Sequence, residues 1–211
     1  IIIIGGDDSN TNAALLAEFL LQEKCAVIGV PKTIDGDLQA GTLLPISFGF
    51  DTASKIYAEL VGNILQDTPS SQKYWHFIKL MGRSASHVTL EVALQTKPAI
   101  SLISEEVLEK KKSLDDIVTE IAKVVAFRAS KGINHGVVLV PEGLVEFIPE
   151  MKSLIQALNE ALPKLDAEHE SLGIVKKYEL IKSFLSKSEL TVFESLPYHF
   201  AEKLLLDRDA H

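Results

Sequence analysis

The sequence predicts an α/β fold of parallel β-sheets flanked by helices, followed by a C-terminal segment that is entirely helical. Over residues 1–143, short runs rich in Ile, Val and Leu alternate with longer amphipathic segments, and this alternation is typical of parallel strands joined by helices. Glycine, proline and aspartate follow several of the apolar runs, as expected where strands end in turns. After residue 143 the apolar runs cease and helical periodicity continues.

The composition is that of a soluble globular protein. Its 211 residues are 46% hydrophobic and 24% charged, with a formal net charge of −8. Scattered lysines and an acidic balance argue against a nucleic-acid-binding surface, and no apolar run approaches the roughly 18 residues of a membrane span. The single cysteine, Cys25, excludes an internal disulfide and is most simply a small buried side chain. We therefore expect a cytoplasmic protein without nucleic-acid or membrane partners.

The first third of the chain is predicted to form two strands and two helices. The predicted elements are a fully buried strand at Ile1–Ile4, a turn at Gly5–Asp8, a helix capped by Ser9 or Asn10 that ends near Gln22, a strand at Ala26–Val30 and a helix over Phe50–Leu65. The polar segment Thr68–Gln72 favours a linker between domains. Because a buried parallel strand needs neighbours on both sides, Ile1–Ile4 indicates a piece of a larger protein.

The remainder of the chain is predicted to contain three further strands and then helices. The predicted elements are strands at Trp75–Met81, Ala99–Ile103 and His135–Val140, and helices from Ser84 or Ser86 to Gln95, over Glu105–Lys112 and over Leu114–Ser130. Beyond residue 147, helices are predicted at Pro149–Leu162, Gly173–Ser186 and Pro197–Leu206, with Thr191–Phe193 as a run that could form a strand. Ligands of parallel sheets bind beyond the carboxyl ends of the strands, where the polar motifs of this sequence are located.

The first polar motif, Gly-Gly-Asp-Asp, connects the first strand to the first helix. Gly5 and Gly6 allow a ligand to approach the backbone closely, and a helix N-terminus presents free N–H groups to an anion. Asp7 and Asp8 would repel phosphate on their own, but Mg²⁺ binds carboxylates together with phosphate oxygens. Gly and Asp are also the commonest residues of ordinary turns, so this motif by itself leaves a simple turn open.

The second polar motif, residues 31–37, follows the second strand. Lys32, Thr33, Asp35 and Asp37 supply a cation, a hydroxyl group and two carboxylates in close succession. Transfer of a phosphoryl group to an alcohol needs a base for the hydroxyl group, a cation near the donor and groups that position the substrate. The alternative at this point is a plain Asp-Gly turn with an exposed lysine.

Five motifs together resemble the phosphofructokinases. Besides GGDDSNT and PKTIDGD, they are FGFDTA at residues 48–53, MGRSASH at residues 81–87 and PEG at residues 141–143. The aspartate at Asp8 and the lysine at Lys32 are similar to the pyrophosphate-dependent branch, whereas ATP-dependent bacterial relatives usually have glycine at both positions. The resemblance is strong over residues 1–143, and the helical remainder resembles the insert of the long pyrophosphate-dependent subfamily.

On the donor side, the resemblance implies roles for the first motif and for Lys32. Asp7 would hold Mg²⁺, and Gly6, Asp8 and Lys32 would contact pyrophosphate. The side chain of Asp8 would also occupy the space that the α-phosphate of ATP needs, which would exclude nucleotide. Lys32 would place a positive charge on the transferred or departing phosphate.

On the acceptor side, the resemblance implies that Asp35 takes the proton from the 1-hydroxyl group of fructose 6-phosphate. Arg83 would stabilise charge on the transferred phosphoryl group, and Asp37 would support the base or the metal. Further substrate contacts are implied for Thr33, Ile34, Met81, Gly82 and Glu142, and for Lys73 and Tyr74, which would reach a neighbouring subunit. We expect structural roles for the dispersed histidines His76, His87 and His135.

The activity that the resemblance implies is Mg²⁺-dependent transfer of a phosphoryl group from pyrophosphate to fructose 6-phosphate. The products would be fructose 1,6-bisphosphate and phosphate, in a reversible step of glycolysis, and the intact protein would be a homo-oligomer such as a dimer. Two alternatives stay open: an ATP-dependent 6-phosphofructokinase, and a non-catalytic regulatory subunit of the same family.

The resemblance also implies a domain organisation. Residues 1–70 would form part of a donor-binding domain, residues 71–146 part of a sugar-phosphate-binding domain, and residues 147–211 a helical insert. The family's glycine-rich donor segment and its YEGR-like element, which binds the 6-phosphate, do not occur in this sequence. We therefore expect the isolated chain, as an incomplete central fragment, to be inactive.

Overall fold

The structure is a computed structural model that describes residues 1–36, 38, 42, 48–168 and 173–206. The predicted site residue Asp37 lies outside the described residues. Two compact units are present, one formed by Ile1–Glu106 with Thr119–Leu144 and the other by Val107–Val118 with the chain from Val145 onward. Every strand pair in the described residues is parallel, and the predicted fold class is confirmed. The division into donor, sugar and insert domains stays a prediction.

The chain begins with a two-stranded parallel sheet and the helix that connects its strands. The elements are strand β1 (Ile2–Gly5), helix α1 (Asp7–Phe19) and strand β2 (Ile28–Pro31). Side chains alternate between the two faces of a strand, so Ile3 is half-buried while Ile2 and Ile4 are each 67% exposed. The prediction of a fully buried first strand is wrong within the described residues, because the face that carries Ile2 and Ile4 is open.

The predicted cap of the first helix is also wrong. Gly6, in an extended conformation, occupies the N-cap position, so Asp7 and Asp8 form the first turn of α1. Acidic residues are favourable there, since the free N–H groups and the helix dipole carry positive charge. Asn10 lies inside the helix and donates hydrogen bonds from Nδ2 to the carbonyl oxygens of Gly5 and Gly6 at 2.9 and 2.7 Å. These bonds tie the helix to the turn that precedes it.

A three-stranded parallel sheet and its helices follow. In chain order the elements are α2 (Phe50–Ser71), β3 (Trp75–Leu80), α3 (His87–Thr96), β4 (Ile100–Ser101), α4 (Ser104–Glu109), α5 (Leu114–Ala129) and β5 (Gly136–Pro141). The strand order is β3-β5-β4, and Leu80 lies opposite Pro141. The buried core consists of Val61, Leu80, Val88, Val92, Val137 and Leu139. This register brings the carboxyl ends of β3 and β5 side by side.

The predicted linker at Thr68–Gln72 is largely helical instead. Helix α2 continues through Pro69 to Ser71, although a proline lacks the N–H group that would bond the carbonyl four residues earlier. That carbonyl belongs to Leu65, and the hydroxyl group of Thr68 donates to it at 3.0 Å. The buried threonine thereby replaces the missing bond and lets the helix run past the proline.

Among its described residues, the second unit contains helices and turns but no strand. Its elements are α6 (Leu144–Phe147), α7 (Pro149–Glu168), α8 (Ile174–Ile181), a 3₁₀ turn (Lys182–Phe184), α9 (Lys187–Ser195) and α10 (Tyr198–Leu206). The possible strand at Thr191–Phe193 lies in α9, because Phe193 faces the interhelical core together with Leu154, Leu158 and Ile181. None of the helices in the described part of the chain is long and apolar enough to cross a membrane.

Candidate functional site

The acidic turn, which we define as Asp7 and Asp8, lies beyond the carboxyl end of β1. Both side chains are exposed, at 53% for Asp7 and 78% for Asp8. The backbone N–H of Lys32 donates to the carbonyl oxygen of Gly5 at 2.7 Å, which extends the pairing of the first two strands by one residue. A β-carbon on Gly6 would lie 3.8 Å from the carbonyl oxygen of Lys32. The structure therefore brings the acidic turn next to residues 31–36, which we call the Lys32 segment.

The segment Thr33–Gly36 follows as a compact turn. Thr33 is 6% exposed, and its hydroxyl oxygen accepts a hydrogen bond from the backbone N–H of Asp35 at 3.2 Å. Thr33 also forms a parallel bridge with Gly49, whose φ of +107° favours glycine. A β-carbon on Gly49 would approach the side chain of Ile34 to 3.1 Å. A hydrogen bond and a bridge thus hold the backbone that leads into Asp35, the predicted base.

The residues that follow β3 pack closely against the residues that follow β5. Gly82, with a φ of +127°, donates its N–H to Oε2 of Glu142 at 3.3 Å. The N–H of Glu142 donates to Leu80 at 2.8 Å, and the N–H of Gly143 donates to Gly82 at 3.0 Å. The MGR and PEG motifs, which are separated in sequence, therefore form one hydrogen-bonded structure from which the side chain of Arg83 extends.

Arg83 connects this segment to the acidic turn. Its Nη2 lies 3.2 Å from Oδ2 of Asp8 and 3.7 Å from Oδ1 of Asp7. The hydrogen bond that Arg83 donates to Asp8 and the charge of Asp8 raise the pKa of Arg83 above its ordinary value, with smaller contributions from the charges of Asp7 and Glu142. The guanidinium group therefore carries a permanent positive charge beside two carboxylates, at the place where the ends of β1 and β3 meet.

Two residues of this region make contacts that sequence reasoning did not predict. His87 was expected to have a structural role, and its Nδ1 lies 3.2 Å from the carbonyl oxygen of Gly36, which connects α3 to the turn that carries Asp35. Glu105 accepts a hydrogen bond from the N–H of Ser86 at 2.9 Å. The signal for His87 is its place in MGRSASH, but no sequence pattern points to Glu105.

The structure places Lys73 and Tyr74 far from Arg83 and the acidic turn. They precede β3, whereas Arg83 follows it, and a six-residue strand spans about 20 Å. Tyr74 is 66% exposed and has a φ of +74°. Both residues therefore lie at the amino end of the sheet, opposite the acidic turn.

Asp7 and Asp8 are the candidate metal ligands near the end of β1. Among the described residues no group of three or more His, Cys, Asp or Glu side chains is arranged to hold a metal on its own. Asp7 and Asp8 supply two adjacent exposed carboxylates, and Mg²⁺ is commonly held by one or two carboxylates while phosphate oxygens and water complete its shell. The residues present fit a cation that shares its coordination shell between carboxylates, water and a phosphorylated ligand.

Comparison with known proteins identifies the family. Residues 1–178 match the Phosphofructokinase family. The chain belongs to the phosphofructokinase family. The assignment made from the five motifs is thereby confirmed. A solved phosphofructokinase from Saccharomyces cerevisiae superposes with a TM-score of 0.51 and 22% identity, covering 67% of this chain and 20% of that one, which supports the fold alone.

Relatives with higher identity have a more specific name. This phosphofructokinase family member is 54% identical over 213 residues to the pyrophosphate–fructose 6-phosphate 1-phosphotransferase of Porphyromonas gingivalis and 53% identical over 216 residues to that of Entamoeba histolytica. It is 41% identical to the alpha 2 subunit of the enzyme of that name in Arabidopsis thaliana. The first two alignments cover all of this chain and 39% of each relative, so the chain spans about two fifths of their length.

Proposed function

We propose that, in a chain of the length of its relatives, these residues transfer a phosphoryl group from pyrophosphate to the 1-hydroxyl group of fructose 6-phosphate. The observation that carries the proposal is the contact of Arg83 with Asp8 at 3.2 Å and with Asp7 at 3.7 Å. It joins a carboxylate pair suited to a metal-bound phosphate with an arginine suited to the charge of a moving phosphoryl group. The relatives named for this reaction are consistent with it.

Each polar residue would have a separate task in the reaction. Asp35 would accept the proton of the sugar hydroxyl group, and the buried Thr33 would hold the backbone at Asp35 in place through its 3.2 Å hydrogen bond. Arg83 would stabilise negative charge on the transferred group, and Lys32 would do so on the donor. Substrate contacts are proposed for Gly6, Ile34, Asp37, Met81, Gly82 and Glu142.

The proposed cofactor is Mg²⁺, because the adjacent carboxylates of Asp7 and Asp8 suit this ion. Asp7 would hold the ion, and the bound ion would supply positive charge to the oxygens of the donor. Asp8 would act mainly through its own bulk and charge, which would exclude the α-phosphate of a nucleotide. These roles make the acidic turn the part of the site that selects the donor.

A homo-oligomer, most simply a dimer, is part of the proposal. Lys73 and Tyr74 lie at the opposite end of β3 from Arg83, about 20 Å away along the strand. They would therefore contact fructose 6-phosphate in the site of another copy. For the isolated chain we predict no measurable turnover, because it spans 39% of its relatives' length.

A coupled assay of the full-length protein with pyrophosphate or ATP as donor tests the donor assignment. We expect turnover with pyrophosphate alone, and we expect Asp8→Gly combined with Lys32→Gly to admit ATP. Turnover with ATP alone would establish the ATP-dependent alternative. A correctly folded full-length protein that shows no turnover with either donor would favour the alternative of a regulatory subunit.

A substitution at the base tests the mechanism. Asp35→Asn keeps the size of the side chain and removes its basicity, so kcat is expected to fall by about 10²–10⁴-fold. Glu59→Gln, an amide substitution at an exposed position on α2, provides the control. An Asp35→Asn protein with a wild-type kcat would contradict the assignment of the base.

A further inference from the structure

The contact between Arg83 and the acidic turn lies within reach of solvent. The side chain of Arg83 is 49% exposed, and the partner carboxylates are more exposed still. Such a pair is not enclosed by the core, so small ions can reach the carboxylates without unfolding of the surrounding structure. It is also weak, because exposed ion pairs are solvated and screened by salt.

The backbone around Arg83 is much better fixed than its side chain. Gly82 is bonded to Glu142, and Gly143 is bonded to Gly82, as described above. A change in the partner of the guanidinium group therefore requires rotation about side-chain bonds only. The arginine can leave one carboxylate while its backbone stays in place.

The two roles proposed for this region involve the same pair of neighbouring carboxylates. Asp7 Oδ1 lies 3.7 Å from Nη2 of Arg83, and a divalent cation on Asp7 would place a second positive charge beside the guanidinium group. Two cations that share a carboxylate repel each other, and each lowers the affinity of the carboxylate for the other. Arg83 and the metal therefore bind to the acidic turn at each other's expense.

We infer that Arg83 is the resting counter-ion of the acidic turn and that a divalent cation displaces it from Asp7. The inference rests on the proposed function, in which the freed guanidinium group then becomes available to the phosphoryl group. Exchange of this kind would link occupation of the donor side to the readiness of Arg83 on the acceptor side. It also gives Arg83 a measurable effect in the absence of any substrate.

Titration of the 211-residue chain with Mn²⁺ tests this exchange, with binding followed by the paramagnetic relaxation of water protons at low ionic strength. Arg83→Gln removes the competing charge and is expected to tighten Mn²⁺ binding by about two- to fivefold, the effect of one exposed ion pair. Arg83→Lys keeps the charge and is expected to stay near wild type. Lys55→Gln removes a lysine that is paired with Asp51 at 2.8 Å on α2 and should have no effect.

Several results would overturn the inference. They are unchanged or weaker Mn²⁺ binding by Arg83→Gln, tightening by Arg83→Lys as large as by Arg83→Gln, and the absence of Mn²⁺ binding by every variant up to millimolar concentrations. Circular dichroism of each variant establishes that it is folded. The titration contains neither pyrophosphate nor sugar phosphate, so the exchange can fail while the coupled assay still supports the proposed function, and the reverse also holds.

Discussion

The carbonyl group of Arg83 lies where a β-carbon on Gly143 would have to be. Gly143 also donates its N–H to the carbonyl oxygen of Gly82 at 3.0 Å. The glycine of the PEG motif is therefore required by a close approach of two backbone segments that come from different strands. Through this contact, a residue with no functional side chain determines the position of the arginine.

Substitution of that glycine is predicted to disturb the segment that carries the arginine. Gly143→Ala forces the main chain of Arg83 to move, and overpacking of this kind typically costs about 1–3 kcal/mol. Urea unfolding of the chain measures the cost. The matched control is Gly62→Ala on α2, where nothing lies within 4 Å of the new methyl group and a gain of about 0.5–1 kcal/mol is expected. Equal stability of the two variants would contradict the claim that a β-carbon at position 143 collides with the backbone of Arg83.

Glu105 is predicted to stabilise the start of α3 in a pH-dependent manner. Partial desolvation opposes the charge of Glu105, but hydrogen bonds from Ser86 and from its own backbone N–H outweigh it and place the pKa of this carboxyl group below its ordinary value. A group with a lowered pKa stabilises the folded state above its ordinary pKa of about 4.3, and this contribution is lost as the pH falls through the folded-state pKa.

The corresponding substitution is Glu105→Gln. At pH 7 we expect a loss of about 0.5–1 kcal/mol, at the low end for a charged hydrogen bond because the residue is exposed. The difference from wild type should shrink when unfolding is measured near pH 3. Glu59→Gln, on the surface of α2, serves as the control. A difference that stays constant between the two pH values would refute the role of the charge.

His87 is predicted to restrain the turn that carries Asp35. Its ring nitrogen lies 3.2 Å from the carbonyl oxygen of Gly36, so His87→Ala removes a contact between α3 and this turn. Amide hydrogen exchange of residues 34–36 is expected to accelerate by about two- to tenfold, the effect of one modest hydrogen bond. The control, His199→Ala in the helical unit, should leave the exchange rates of these amides unchanged. Unchanged rates in His87→Ala would show that the contact contributes nothing.

The helical unit offers a test of local helix capping. The hydroxyl group of Ser186 accepts from the N–H of Glu189, and the carboxylate of Glu189 accepts from the N–H of Ser186 at 2.9 Å, which forms a capping box at the start of α9. Ser186→Ala is expected to cost about 1 kcal/mol in thermal or urea unfolding. Ser183→Ala, at an exposed hydroxyl group that bonds to Leu180, should change stability by less than about 0.5 kcal/mol.

Much of the candidate site could be predicted from local patterns. The strand–turn–helix order located the acidic turn, the Lys32 segment and Arg83 beyond strand ends, because apolar runs and turn residues are local properties of the chain. Helix boundaries were less accurate. The caps expected at Ser9 or Asn10 were wrong, because α1 begins earlier, at Asp7 after the N-cap Gly6. Helix α2 continues beyond Pro69 because the Thr68 hydroxyl group donates to the carbonyl oxygen that the proline leaves unbonded.

By itself the sequence determined the family and the parallel α/β architecture, and it supplied the residue types that we propose to contact a phosphate ligand. Only the tertiary structure decided that Arg83 contacts Asp8, 75 residues away, that Gly143 lies against the backbone of Arg83, and that His87 reaches Gly36. The reason is physical: such contacts depend on which strand ends lie side by side and on how two separate sheets pack, and no periodicity within one segment encodes that arrangement.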